Sequence, residues 1–189
     1  MPRINLITDK SQVPDDRHAE IDAIVAVLNR VGGPFGVLMY SPGLAQKVCE
    51  TGAQVRLKST LKPVERELAI IAVSREKDAA YEWNSHVRTG RQQGMREEAI
   101  DAVRNRGDVS GLEPDERDII TFVRQLLQTN RVEQSLFDEL VKRHGERWLV
   151  ELTATVGQYQ YIAAINNTFE ILPGPDADPL PIEARSAIR

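Results

Sequence analysis

The chain has 189 residues, 41% of them hydrophobic and 28% charged, with a formal net charge of −4. That length supports one core of ordinary size, and the acidic balance offers no general attraction for nucleic acid or an anionic membrane. The single cysteine, Cys49, excludes an intramolecular disulfide, a CxxC redox pair and a cysteine-rich metal site.

The opening MPRINLITDK has no apolar signal region, and no hydrophobic run is long enough to span a bilayer, so a cytoplasmic protein is expected. Pro14, followed by Asp15 and Asp16, marks a helix start. Ile21, Ile24, Val25, Leu28 and Val31 repeat at helical spacing until Gly32 and Gly33 end the run. Ser41 and Pro42 open a second helix carrying Leu44 and Val48. A third begins near Pro63 and runs to about Arg75. Its LAIIAV run at 68–73 is apolar around most of the circumference, which predicts a central position. The fourth covers about 79–93 and stops at Gly94, and a short fifth follows from Glu97 to about Asn105. Pro114 opens the sixth, with Ile119, Ile120, Phe122, Val123, Leu126 and Leu127 as its buried stripe. The seventh covers about 133–144. The longest runs from Glu146 to about Ile171. The tail, PGPDADPLPIEARSAIR, is too rich in proline for a regular helix and is expected to wrap over a neighbour or stay partly disordered. No stretch alternates as a strand would, so the fold class is all-α.

Three polar residues interrupt this apolar pattern. Glu67 lies one turn into the third helix, where a carboxylate can meet the helix dipole or pair with a neighbour such as Arg66. Glu82 and His86 stand four residues apart on the fourth helix and share a face. Two carboxylates and an imidazole on neighbouring apolar helices are raw material for general acid–base chemistry. Burial raises a carboxylate pKa, and a histidine beside a carboxylate holds its proton more tightly. The same trio can instead serve as a lock between two helices. A carboxylate-bridged metal site repeats Glu-x-x-His on two helices. This chain has one Glu-x-x-x-His, so neither a metal nor a cofactor is expected. His18 reads as solvated, and His144 meets the dipole at a helix C-terminus. Trp83 and Trp148 read as core or interface aromatics; Trp83, next to Glu82, is also a candidate pocket wall.

EWNSH at 82–86, followed by Gly90 and Gly94, and RELAIIAVSR at 66–75 resemble the core motif of the carboxymuconolactone decarboxylase family, which shares its fold with the alkylhydroperoxidase D group. The resemblance is clear over 57–104, and the segment at 149–173 resembles the last helix of longer members. It implies an alkylhydroperoxidase D-like helical bundle of about seven to eight helices, a single domain over 1–172 with a proline-rich tail at 173–189, and a homo-oligomer (dimer, trimer or hexamer). The peroxidase branch places its CxxC cysteines where Ala79 and Glu82 stand here, and its relay glutamate at Glu67. Tyr81 takes a position that sometimes holds a second histidine. The relay glutamate and the histidine are kept, and both sulfurs are absent. Dithiol reduction of peroxide needs an attacking thiolate and a resolving thiol, so peroxidase activity is disfavoured.

A glutamate in place of the second cysteine is what the decarboxylase-like branch often shows. The resemblance therefore implies a lyase of aromatic catabolism, decarboxylating or isomerising a small organic acid or lactone. His86 would be the proton donor, with Glu82 orienting and charging it and Glu67 facing the pair from the adjacent helix. Tyr81, Trp83, Gln158 and Tyr159 are expected around the pocket. Arg88 or Arg91 could bind an acidic substrate, but Arg88, two residues beyond His86, should point elsewhere. The partner is a small molecule, with no nucleic acid and no membrane. A non-catalytic ligand-binding or assembly module is the alternative, and an enclosed apolar cavity beside His86 separates the two.

Overall fold

In the computed structural model, residues 1–182 are described, and the end of the tail at 183–189 lies outside them. Among the described residues there are nine α-helices and no strand: α1 (His18–Leu28), α2 (Pro34–Leu38), α3 (Pro42–Leu57), α4 (Pro63–Glu76), α5 (Ala80–Gln92), α6 (Glu97–Arg104), α7 (Pro114–Thr129), α8 (Gln134–His144) and α9 (Glu146–Phe169). Pro34, Pro42, Pro63 and Pro114 each stand in a first helical turn, where the missing N–H costs nothing. Asn29, Asn130 and Glu170 close α1, α7 and α9 in the left-handed conformation.

Two details differ from the sequence expectation. Pro14 opens a 3-10 turn, Asp15–Arg17, and the α-helix begins only at His18. The stretch after Gly33, expected as a connection, contains α2. Five residues are too few for a readable period, and so short a helix is held by packing rather than propensity. Pro34, Gly36, Val37 and Leu38 are all buried. Gly33 itself has φ of 54°, and a Cβ there would lie 2.5 Å from the Tyr81 hydroxyl. Both backbone and space therefore require glycine at this position.

The core has two parts. The larger is built around α4, whose residues 68–73 are no more than 2% exposed, with α5, α6, α7 and α9 packed against it. The smaller joins α1, α2 and α3. α9 belongs to both, giving Leu152, Val156 and Tyr159 to the first and Ile162 to the second. Glu65 anchors α9 on α4, accepting hydrogen bonds from Trp148 Nε1 at 3.0 Å and from the Lys62 amide at 2.9 Å.

The α4–α5 turn sets the site. Asp78 takes φ of 50°, and the Ala79 amide donates to the Ser74 carbonyl at 2.8 Å. Buried Arg75 pins the turn, pairing with Asp78 at 2.6 Å and donating to the Arg104 carbonyl at 2.7 Å. A short turn makes consecutive helices antiparallel, so α5 runs back along α4, and Glu67 and His86 meet across the two helices.

The described part of the tail returns over α5 and α6. Asp178 accepts from Trp83 Nε1 at 3.2 Å, Arg91 Nη1 at 2.5 Å and Arg104 Nη2 at 3.0 Å. Its own amide donates to Asn84 Oδ1 at 2.9 Å. No helix among the described residues is long and apolar enough to cross a membrane.

Candidate active site

His86 is buried, 7% exposed, and carboxylates meet both edges of its ring. Nδ1 lies 2.6 Å from Glu67 Oε2 on α4, and Nε2 lies 3.3 Å from Glu82 Oε2 one turn earlier on α5. Glu67 is 1% exposed, and its other oxygen faces Arg66 Nε at 3.4 Å. Glu82 is held by Asn166 of α9, whose Nδ2 donates to Oε1 at 3.0 Å. The Tyr159 ring meets the imidazole edge-on, with centroids 4.9 Å apart at 85°.

Burial alone would push the His86 pKa down. Hydrogen bonds to Glu67 and Glu82 outweigh it and hold the imidazole above its ordinary value of 6.5. Burial would likewise raise Glu67, contrary to the net result. The His86 hydrogen bond and charge, with Arg66 and Arg56, keep this carboxyl below its ordinary 4.5. The expectation that apolar walls raise the carboxylate is thus reversed at Glu67, because its charged partner wins over desolvation. Both shifts favour the charged forms of the pair, with Nδ1 on Glu67 and Nε2 within 3.3 Å of the Glu82 carboxylate.

This pairing has a pH signature. The raised His86 pKa stabilises the fold below about 6.5, and the contribution is lost as pH rises through the folded-state value. The lowered Glu67 pKa stabilises it above about 4.5, and that contribution is lost as pH falls through the folded-state value. The stability difference between wild type and Glu67→Gln should therefore be widest between those two limits and shrink on either side. Urea unfolding from about pH 3 to about pH 9 measures it; a difference independent of pH would show that the pair is not ionic.

A cavity of about 300 Å³ opens beside the pair, between the two parts of the core. His86 and Glu82 line it and Glu67 does not, so the Nε2 edge faces the chamber while Nδ1 is held from behind. Of the pocket residues expected from sequence, Tyr81, Gln158 and Tyr159 line it. Trp83 does not. Successive helix positions are rotated by about 100°, and Trp83 shares the opposite face of α5 with Val87 and Gly90. It is 0% exposed in the core, its ring under the Arg104 guanidinium at 5.6 Å.

Arg88, expected to point away, lines the cavity. Judged from Tyr81 and Ser85 rather than from His86, it falls at helical spacing on the cavity face. Arg91 instead pairs with Glu97 and Asp178. Arg30, Phe35, Cys49, Arg56 and Ile162 also line the chamber without having been singled out as pocket residues in the sequence. They come from distant segments, and no local spacing links them to His86. Cys49 brings a sulfur into the wall despite the missing CxxC. Burial and the charge of Glu50 push its thiol pKa up, with Arg56 opposing, which keeps the thiol protonated and weakly nucleophilic. Among the described residues no group of three or more His, Cys, Asp or Glu is arranged to hold a metal ion.

The carboxymuconolactone decarboxylase family model matches residues 42–125. No curated protein matches the sequence. Solved structures share the fold at low identity. An alkylhydroperoxidase AhpD core, described as an uncharacterized peroxidase-related protein from Ralstonia eutropha JMP134, superposes with a TM-score of 0.73 at 18% identity, covering 92% of this chain and 93% of that one. An uncharacterized peroxidase-related protein from Silicibacter sp. TM1040 gives 0.71 at 16% identity, covering 93% and 95%. The debrominase Bmp8, as a cysteine-to-alanine variant in complex with 2,3,4-tribromopyrrole, gives 0.68 at 14% identity, covering 93% and 95%.

Proposed function

From the match of residues 42–125 to the carboxymuconolactone decarboxylase family model and the AhpD-like fold, we propose that this chain moves a proton to or from carbon in a small organic acid or lactone. The observation that carries this is the division of His86 between two surroundings. Nδ1–H is fixed on buried Glu67, while the Nε2 edge and Glu82 share the wall of the cavity. A lock between helices needs no chamber beside it, so the cavity favours catalysis over an assembly role.

In a decarboxylation, the electron pair of the breaking C–C bond enters a conjugated carbonyl system as carbon dioxide leaves. His86 Nε2–H then protonates carbon, leaving a neutral imidazole whose Nδ1–H stays on Glu67. Glu82 relays the replacement proton. In an isomerisation, Glu82 takes the proton from one carbon and His86 supplies one to another. Glu67 keeps the ring oriented and charged in both, and Asn166 keeps Glu82 turned toward the ring.

The test is deuterium exchange into carbon, followed by mass spectrometry for a panel of lactones and short-chain or aromatic acids in heavy water. Wild type should label at least one compound, and His86→Gln should slow labelling by about 10²–10⁴-fold. Labelling that survives His86→Gln would remove His86 from the chemistry. Thiol chemistry is the second reading, favoured by Cys49 in the cavity wall. Peroxide turnover with a dithiol reductant that Cys49→Ser abolishes and His86→Gln spares would establish it instead.

A further inference from the structure

Three arginines line the cavity: Arg30 beyond the end of α1, Arg56 in the last turn of α3 and Arg88 on α5. Every other arginine among the described residues donates to a carboxylate or a backbone carbonyl. Among the described residues, Arg30, Arg56 and Arg88 have no such partner, and Arg56 is half-buried. Arg30 and Arg88 are exposed; Arg56 is partly withdrawn from water, where a guanidinium without a counter-charge is costly. This chain has more carboxylates than cations, yet no described carboxylate makes an ion pair or hydrogen bond with these three, and Arg56 acts on Glu67 only through its charge. The carboxylate in the same wall, Glu82, is taken by Asn166 and His86.

The arginines reach different parts of the chamber. Burial raises the Tyr159 phenol, and Arg56 pulls against it. Burial also raises Tyr81, where Arg30 and Arg88 oppose it. With three guanidinium groups against the one Glu82 carboxylate, the lining carries an excess of positive charge in a protein that is anionic as a whole. Val27, Leu28, Phe35 and Ile162 supply an apolar part of the wall, and Ser85, Thr89 and Gln158 a neutral polar part. A volume of about 300 Å³ stands at the small end of ligand sites.

We propose that Arg30, Arg56 and Arg88 form an anion receptor, and that its ligand is a small carboxylate whose body is an apolar ring or short chain. The planar guanidinium fork suits a carboxylate, and the apolar wall suits the body. This rests on the cavity being the chamber of the proton-transfer reaction proposed above, and it assigns the residues that select the substrate.

Calorimetric titration of benzoate, phthalate and neutral benzamide into the full chain at low salt tests it. Benzoate or phthalate should bind at least roughly tenfold tighter than benzamide, and Arg30→Gln, Arg56→Gln and Arg88→Gln should each weaken carboxylate binding by roughly tenfold. Arg30 and Arg88 are exposed, so their variants should keep the wild-type melting profile. Equal affinity for benzamide, binding indifferent to all three substitutions, or no binding of either carboxylate would overturn the receptor. Carboxylate binding that persists in a protein with no deuterium exchange would sink the acid–base reading alone and leave the receptor standing.

Discussion

His86→Gln is expected to lower folding stability by about 3–5 kcal/mol, because it removes one partner of a buried ion pair and leaves charge behind. Glu67 and Glu82 are 1% and 6% exposed, and neither can recover the lost interaction from water. Glu82 keeps Asn166 and Glu67 keeps a long contact to Arg66, which places the loss in that range rather than above it. Glu67→Gln preserves an oxygen that can accept from Nδ1 and removes only the charge, so its cost should be smaller. The double variant should cost less than the two single losses together, since the second substitution removes a carboxylate already stranded by the first. Urea unfolding at about pH 6 provides the measurement, within the window where both partners are charged. Additive losses would mean that the two residues do not act on each other.

Trp83→Ala should be comparably severe for a different reason. The indole is 0% exposed, and its removal combines lost burial with a cavity, at about 3–5 kcal/mol. It also frees one of the groups that hold Asp178. The melting temperature should drop on the order of 10 °C for a chain of this size. Trp83→Phe fills most of the space and removes the Nε1 donor, so it should cost only about 1 kcal/mol. Neither variant removes a residue of the chamber wall. Benzoate affinity of the folded Trp83→Phe protein should therefore match wild type, whereas a loss of affinity would return Trp83 to the pocket.

The helices were legible wherever an apolar period was bracketed by a proline at the start and a break at the end, as for α4 and α7. The pair at the heart of the site was legible through the resemblance of 66–75 and 82–86 to the family motif, because distance from the turn alone does not single out Glu67 as the partner of His86. α2 escaped because five buried residues carry no period. Trp83 was misplaced through its adjacency to Glu82 in the chain, although neighbours on a helix face different ways. Arg88 was misplaced by reference to His86 alone, when the cavity face of α5 runs through Tyr81 and Ser85 as well. Arg30, Cys49 and Arg56 depend on how α1 and α3 pack against α5 and α9. That packing is set by the smaller core, and no spacing near the histidine encodes it.

The turn at 77–79 joins the two helices that carry Glu67, Glu82 and His86, all within 42–125. Arg30, Phe35, Gln158, Tyr159 and Ile162, which complete the chamber, lie outside that segment. The segment that holds the Glu67–His86 pair therefore supplies only part of the chamber wall, with Arg56 and Arg88 inside it and Arg30 outside. A change at Phe35 or Ile162 can reshape the chamber while the contact between Glu67 and His86 stays as it is. A chamber of another shape is therefore compatible with the same Glu67–His86 contact. The reverse also holds: the segment that carries the reactive pair, cut out alone, would lose the walls that keep water from it.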